Sequence, residues 1–262
     1  MTTALRPYEK DGTFSERFPI LYQQPGRRKK AEKVLRVLSA YYGGSLSRLV
    51  AVDVGASTCL MTEMFAEEIG TVIALDEDHV GLKHGRDRGV RDNLRFLRAD
   101  GTCVALADES VDIVICNQVY EHVLDQEGLA REIHRILKPD GFCYFGAGSR
   151  YVLIEGHYFL PFLSWMPLKW SSRYLRLMGR KIDYDVYLLS YYKLKKLLRE
   201  FDIHDFTTRV LTQPEQYAAE DLVRPGSIWT KLPPRLYEWA KPILPGWAWV
   251  LTKKARPKAA TG

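Results

Sequence analysis

The chain predicts an α/β fold with a doubly wound, mostly parallel sheet, and two observations predict it. Short runs rich in Val, Ile, Leu and Ala, at residues 49–54, 71–75, 94–99, 111–116 and 142–145, alternate with stretches of helical period. Runs that are apolar on both faces suit strands buried in a parallel sheet, with crossover helices on either side. The first three runs also close on acids, Asp53, Asp76 and Asp100. In an open parallel sheet those carboxyl ends border the ligand crevice.

Each element can be justified in turn. Residues 1–25 are rich in Pro, Gly and aromatics and show no clear period, whereas residues 27–42 read as an amphipathic helix with Ala31, Val34, Leu35 and Leu38 on one face. The basic run Arg27-Arg28-Lys29-Lys30 reads as a solvated first turn rather than a nucleic-acid patch. After the first strand, the small residues Gly55, Ala56 and Ser57 let the backbone approach a ligand at the start of the next helix. A dinucleotide site would need three glycines spaced G-x-G-x-x-G to seat a pyrophosphate. Only Gly55 is present, and an acid stands two residues before it. A carboxylate there repels a pyrophosphate but suits a ligand carrying an ammonium and a sulfonium, which is S-adenosylmethionine. The second run ends at Asp76-Glu77, where a strand-helix-strand unit sets an acid against ribose hydroxyls, and a carboxylate can accept from both. The third ends at Asp100-Gly101.

The segment Asp53-Val54-Gly55 resembles the first motif of class I S-adenosylmethionine-dependent methyltransferases, an acid followed by alternating glycines; Ser57 and Cys59 replace the second and third glycines. Residues 108–123 look like the fourth strand and following helix of the small-molecule branch, with Val111 where an aromatic is usual and Glu121-His122 as its Glu-His pair. A helical stretch closing on Leu137-Lys138-Pro139-Asp140-Gly141 is similar to the family's Leu-Lys-Pro-Gly-Gly, with Asp140 as the change. Residues 45–150 thus resemble this family, of the type called methyltransferase domain 11. The resemblance implies a seven-stranded Rossmann-like sheet with one antiparallel strand and S-adenosyl-L-methionine as cofactor. It implies cofactor-binding roles for Asp53, Gly55, Ala56, Ser57, Asp76, Glu77, Asp100, Gly101, Asn117 and Gln118, with Asp100 accepting from the adenine amino group. Glu121 and His122 are expected to spend their side chains on neighbouring loops.

Residues 151–168 follow the fifth strand as an apolar, aromatic insertion broken by prolines, at a place where insertions roof a ligand crevice. Glu155 and His157 are polar in that apolar run and need partners if buried. They read as a proton-handling pair, His157 the base and Glu155 its orienter. A helix over residues 190–201, capped by Ser190, and strands at 201–207 and 246–251 complete the sheet; the proline-rich connection at 212–245 is a second candidate substrate element. The expected organisation is an N-terminal lid and helix (1–44), a cofactor-binding core (45–150), a cap (151–189) and the C-terminal part of the sheet (190–262).

Charge separates the two halves. Residues 150–262 hold 19 Lys and Arg against 10 Asp and Glu, residues 1–149 hold 19 against 22, and all six tryptophans lie beyond residue 150. A basic, aromatic half suits an amphiphilic acceptor or an anionic surface. The prolines and charges of 151–168 exclude a membrane span, and Met1–Pro7 lack the apolar core of a secretory signal. Four widely spaced cysteines form no metal-like cluster and read as reduced thiols packed in a cytoplasmic core. The expected function is methyl transfer to a small-molecule, lipid or lipid-linked saccharide acceptor, by O- or N-methylation, with no metal and no obligate protein partner. Peripheral contact with the inner membrane surface is expected through the basic aromatic half. Two alternatives stand beside it: methylation of a nucleic-acid base, disfavoured because Asn117-Gln118-Val119-Tyr120 lacks the paired prolines of such enzymes, and a non-catalytic S-adenosylmethionine-binding module.

Overall fold

The computed structural model describes residues 14–22, 24–89 and 91–255. The readings made of Met1–Pro7 and of the basic tail at 256–258 lie outside them. In chain order the elements are α1 (Phe14–Arg17), α2 (Gln24–Tyr42), β1 (Val50–Val54), α3 (Leu60–Glu68), β2 (Thr71–Asp76), α4 (His79–Asp87), β3 (Leu94–Arg98), β4 (Val111–Asn117), α5 (Gln126–Ile136) and β5 (Leu137–Gly148). There follow α6 (Leu168–Leu177), α7 (Tyr191–Leu197), β6 (Phe201–Asp205), α8 (Thr207–Thr212), α9 (Ile228–Lys231), α10 (Pro234–Ala240) and β7 (Gly246–Lys253). The seven strands form one sheet in the order β3-β2-β1-β4-β5-β7-β6, and only β7 runs antiparallel to its neighbours. Strand order reverses between β1 and β4, so a crevice opens beyond their carboxyl ends.

The twofold period of the strands sorts their side chains onto two faces. Ala51, Ile113, Phe142 and Val250 pack with Ala31, Val34 and Leu38 of α2 and Phe65 of α3. Val52, Val114, Cys143 and Leu251 pack with Leu129 and Ile133 of α5 and Leu194 of α7. Trp247 and Trp249 are buried on β7, with ring centroids 5.6 Å apart, whereas the other four tryptophans are exposed. Cys59, Cys116 and Cys143 are buried free thiols, but Cys103 is exposed, contrary to the packed-thiol expectation, because it lies on the open turn after β3.

Three local features depart from the sequence reading. The Pro139-Asp140-Gly141 turn was expected before the fifth strand, yet β5 begins at Leu137. Leu137 pairs with Val111, pairing resumes at Phe142 with Ile113, and the residues between bulge out. Lys138 anchors the bulge through Asp112 at 2.7 Å. Ser190 occupies the cap position of α7 without a side-chain bond. Pro233 and Pro234 open α10 rather than only breaking the connection, since a proline at the first helical position loses no hydrogen bond.

Between β5 and α7 the chain builds a small cluster of its own from Tyr158, Leu163, Leu175, Tyr184 and Val186. Within it, Ile154 and Pro161 bridge antiparallel and close a hairpin. Among the described residues no helix is long and apolar enough to cross a membrane.

Candidate active site

A cleft of about 720 Å³ opens at the carboxyl ends of β1, β2 and β4. One wall is the turn after β1. Gly55 has φ +72°, and a Cβ there would lie 2.6 Å from Val119 Cγ2, so only glycine fits both the backbone and the space. Ser57 and Cys59, which replace the motif's later glycines, also sit at positive φ, +50° and +58°. Non-glycine residues in that region cost on the order of 1 kcal/mol or more each and need support from their surroundings. The support is visible. Gly55 and Ala56 both donate N–H to Leu75 O, at 2.8 and 3.1 Å, and Cys59 N–H donates to Ala56 O at 2.8 Å. Helix α4 presents glycines to the same turn: a Cβ on Gly81 would meet Ser57 O at 2.6 Å, and one on Gly85 would meet Cys59 Sγ at 2.7 Å.

The three acids at the strand ends are held by backbone N–H groups or hydroxyls. Asp76 accepts from Ser57 N–H at 2.7 Å through one oxygen and from Asp78 N–H at 2.8 Å through the other. Each oxygen keeps a lone pair for a ligand hydroxyl. Burial pushes its carboxyl up to about 6, against the pull of those N–H groups. Asp53 accepts from Thr62 Oγ1 at 2.5 Å, and burial raises it to about 7. Asp100 accepts from both the N–H and the hydroxyl of Thr102 at 2.8 Å.

The ten residues expected to bind cofactor fall into two groups. Gly55, Ser57, Asp76, Glu77, Asp100, Gly101 and Gln118 line the cleft. Asp53, Ala56 and Asn117 line a smaller hollow, about 30 Å³, which Gly55 and Ser57 also border. Arg27 of α2 lines that hollow as well and was read as a solvated residue; burial depresses its pKa, against the attraction of Asp53. Gln118 reaches the cleft from a left-handed conformation, φ +59°, fixed by its N–H to Gly146 O at 2.8 Å.

The opposite wall carries a chain of ionisable groups. His122 lines the cleft, and its Nε2 lies 3.1 Å from His157 Nε2. His157 Nδ1 is 2.6 Å from Glu155 Oε1, while Glu155 Oε2 accepts the N–H groups of His157 and Tyr158 at 3.0 and 2.9 Å. Glu155 is fully buried. Burial disfavours the His157 imidazolium, but the hydrogen bond and charge of Glu155, with Glu121 and Asp185, outweigh it and raise its pKa. Phe14 packs edge-on to His122 with centroids 5.0 Å apart. His122 meets a neighbouring loop, as expected, and its ring joins the predicted pair 155–157 to the cleft. No period links two histidines 35 residues apart, so the only signal is that each stands within two residues of a glutamate.

Glu121 is fully buried, neither of its carboxylate oxygens has a hydrogen-bond partner among the described residues, and burial raises it to about 7. The hydroxyl of nearby Tyr184 is also buried with no partner among the described residues. The segment bearing them is tied down by Tyr187 N–H to Glu121 O at 2.7 Å and by Gln126 Nε2, which donates to Tyr120 O and Tyr187 O at 3.0 and 2.9 Å.

Comparison with known proteins agrees with this geometry. Residues 52–145 match the family model described as a methyltransferase domain. A ubiquinone biosynthesis O-methyltransferase of Bordetella avium is 29% identical over 111 residues, 41% of this chain and 46% of the relative. A probable S-adenosylmethionine-dependent methyltransferase of Mycobacterium tuberculosis is 34% identical over 85 residues, 32% of this chain and 30% of the relative. The chain therefore spans less than half the length of these curated relatives. A solved structure of a putative S-adenosyl-L-methionine-dependent methyltransferase from Methanococcus maripaludis shares the fold at a TM-score of 0.55 and 14% identity, covering 99% of this chain and all of that one.

Proposed function

We propose, from the match of residues 52–145 to the methyltransferase-domain family model, that the chain is an S-adenosylmethionine-dependent methyltransferase acting on the oxygen or nitrogen of a small-molecule, lipid or lipid-linked saccharide acceptor. The observation that carries the reading is one cleft with two unlike walls, Asp76 and Asp100 on one side and His122 on the other. The turn fits the cofactor: glycine at 55 keeps its approach open, and the buried Ser57 hydroxyl has no partner among the described residues.

Asp76 would accept from the ribose hydroxyls, Asp100 from the adenine amino group, and the side bearing Asp53 and Asn117 would face the ammonium end. When bound, S-adenosylmethionine supplies an electrophilic methyl on a sulfonium. The remaining work belongs to the protein. Alignment of an acceptor in a dry cleft lowers the barrier by about 7 kcal/mol or more, so a neutral amine acceptor needs no base. For a hydroxyl acceptor, His122 takes the proton, His157 shares it across the 3.1 Å Nε2 contact, and Glu155 fixes the His157 ring. The relay accepts a proton only when both rings are neutral, and Glu155 makes His157 hold its proton above the ordinary histidine range, so the rate rises with pH as His157 loses that proton.

Base methylation of nucleic acid is weaker, because Tyr120 is buried and its hydroxyl donates to Gly148 O at 2.7 Å, so the aromatic at the end of that segment cannot stack on an extruded base. The basic, aromatic half of the chain supports contact with an anionic membrane surface as part of this reading. Isothermal titration with S-adenosylmethionine, then incubation of methyl-labelled cofactor with fractionated cell extract, tests the reading. Saturable binding and one labelled product support it; absence of binding overturns it, and binding without any labelled product favours the non-catalytic module.

A further inference from the structure

The hairpin that positions His157 has a second face. Its bridge pairs Ile154 with Pro161, and while Glu155 is buried beneath it, Ile154 and Phe159 point to solvent, Phe159 with 69% of its surface exposed. Phe162, beyond the bridge, is exposed too and stacks edge-on to Trp165 at 5.2 Å. Phe159 and Phe162 hold φ of +55° and +56°, a conformation that costs bulky residues energy and that Asn or Gly adopts readily. Backbone hydrogen bonds hold both turns, Phe159 N–H to Glu155 O and Phe162 N–H to Leu153 O at 2.8 Å, yet a largely exposed Phe159 side chain adds little packing in the monomer to offset the strain. Helix α6 continues this surface with Trp170 and Leu177, 61% and 77% exposed. Scattered exposed apolar residues are ordinary, but a run of them along one hairpin and one helix marks an interaction surface.

Charge says what covers it. Residues 150–182 contain six Lys or Arg and, as their only acid, the buried Glu155. Lys169, Arg180 and Lys181 have no acidic partner among the described residues, Arg173 lies over the Trp170 ring at 5.9 Å, and Arg176 pairs with Asp183 at 3.0 Å. Arg176, Arg180 and Lys181 line an open hollow of about 420 Å³. Aromatic side chains beside unpaired cations match the headgroup boundary of an anionic bilayer, where rings enter the interface and Lys and Arg meet phosphates.

We propose that the hairpin 154–161, Phe162, Trp165 and α6 form a docking surface for an anionic lipid membrane. Docking would set the back of the hairpin against the bilayer while His157 faces inward on the same eight residues. That an amphiphilic acceptor then reaches His122 from the lipid side rests on the methyl-transfer reading above; the docking itself does not.

The test is flotation of the full chain with phosphatidylcholine vesicles, with and without phosphatidylglycerol. The expected result is flotation only with the anionic vesicles, lost at high salt. Arg180→Glu with Lys181→Glu should reduce the floated fraction severalfold or more. So should Phe159→Asn, which relieves backbone strain and should therefore melt no lower than wild type, separating lost docking from lost folding. Wild type staying in the soluble fraction with both vesicles overturns the proposal, as does undiminished flotation of both variants. A dimer in gel filtration that Phe159→Asn dissolves, or transfer RNA displacing the protein from vesicles with retention in a gel shift, would reassign the surface to a second copy or to nucleic acid and equally overturn it. Titration with S-adenosylmethionine runs alongside: flotation without cofactor binding removes the methyltransferase reading and leaves the docking surface standing.

Discussion

The two walls of the cleft are built in different ways. On the strand-end wall each acid is held by its own neighbourhood: Asp100 by Thr102, Asp76 by Asp78 and by Ser57 across one strand-helix-strand unit, Asp53 by Thr62 on the next helix. On the histidine wall the decisive contacts span the chain, His122 to His157 and Gln126 to Tyr187, 35 and 61 residues apart. The first wall is set by turns whose geometry follows from a few adjacent residues. The second exists only once the segment after β5 has folded back onto the turn after β4. On the proposed reading, the difference teaches that cofactor binding would rest on local structure here, whereas acceptor handling would rest on tertiary structure.

If that division is right, the largest effect of any single change should fall on the histidine wall and spare cofactor binding. His122→Ala is expected to lower kcat by about 10²–10⁴-fold for a hydroxyl acceptor, with S-adenosylmethionine affinity in titration close to wild type; a matching loss of affinity would merge the two walls. His157→Ala should fall nearly as far, and the ascending limb of the kcat-pH profile expected from the raised His157 pKa should vanish in both variants. An unchanged limb would remove the relay.

Asp53→Asn tests the other wall through stability. Folded Asp53 keeps its proton to about pH 7, whereas an unfolded carboxyl releases it near pH 4. The unfolded state thus binds fewer protons across that window, so this group makes wild type less stable as pH rises from about 4 to 7, with no further loss above. The amide variant escapes this loss and should be more stable at pH 8, by up to about 4 kcal/mol, with the gain disappearing near pH 4 in denaturant titrations. Its cofactor affinity should drop, the common exchange of stability for function. A variant that is less stable at pH 8 would place the Asp53 charge among stabilising groups.

Smaller still, Asp76→Ala should weaken S-adenosylmethionine by about 1–3 kcal/mol if ribose hydroxyl bonds are lost, while kcat at saturating cofactor changes little. Unchanged affinity would free Asp76 for the purely structural task of holding Ser57 and Asp78.

The same contrast explains what the sequence made legible. The seven strands and the acids at three strand ends follow from short patterns and fixed spacing, whereas an antiparallel strand was implied only by the family resemblance; the sheet holds all seven, with β7 antiparallel and β5 starting ahead of its apolar run. His122, Glu121 and Arg27 were harder. His122 and Glu121 take their surroundings from a segment 35 or more residues away, and Arg27 was masked by its basic neighbours, although it faces the hollow that holds Asp53. The bulge at Lys138-Pro139-Asp140-Gly141 escaped because turn composition does not say whether pairing resumes on the same strand.

The glycines of α4 carry a last consequence. Gly85 leaves room for the Cys59 side chain, which itself stands in the left-handed conformation where the family motif has glycine. One methyl-sized volume is thus shared by two positions far apart in sequence. Cys59→Gly and Gly85→Ala should therefore be interchangeable as a pair, the double variant tolerated where Gly85→Ala alone is not. Cysteine at 59 and glycine at 85 thus constrain each other across the gap between the turn and α4.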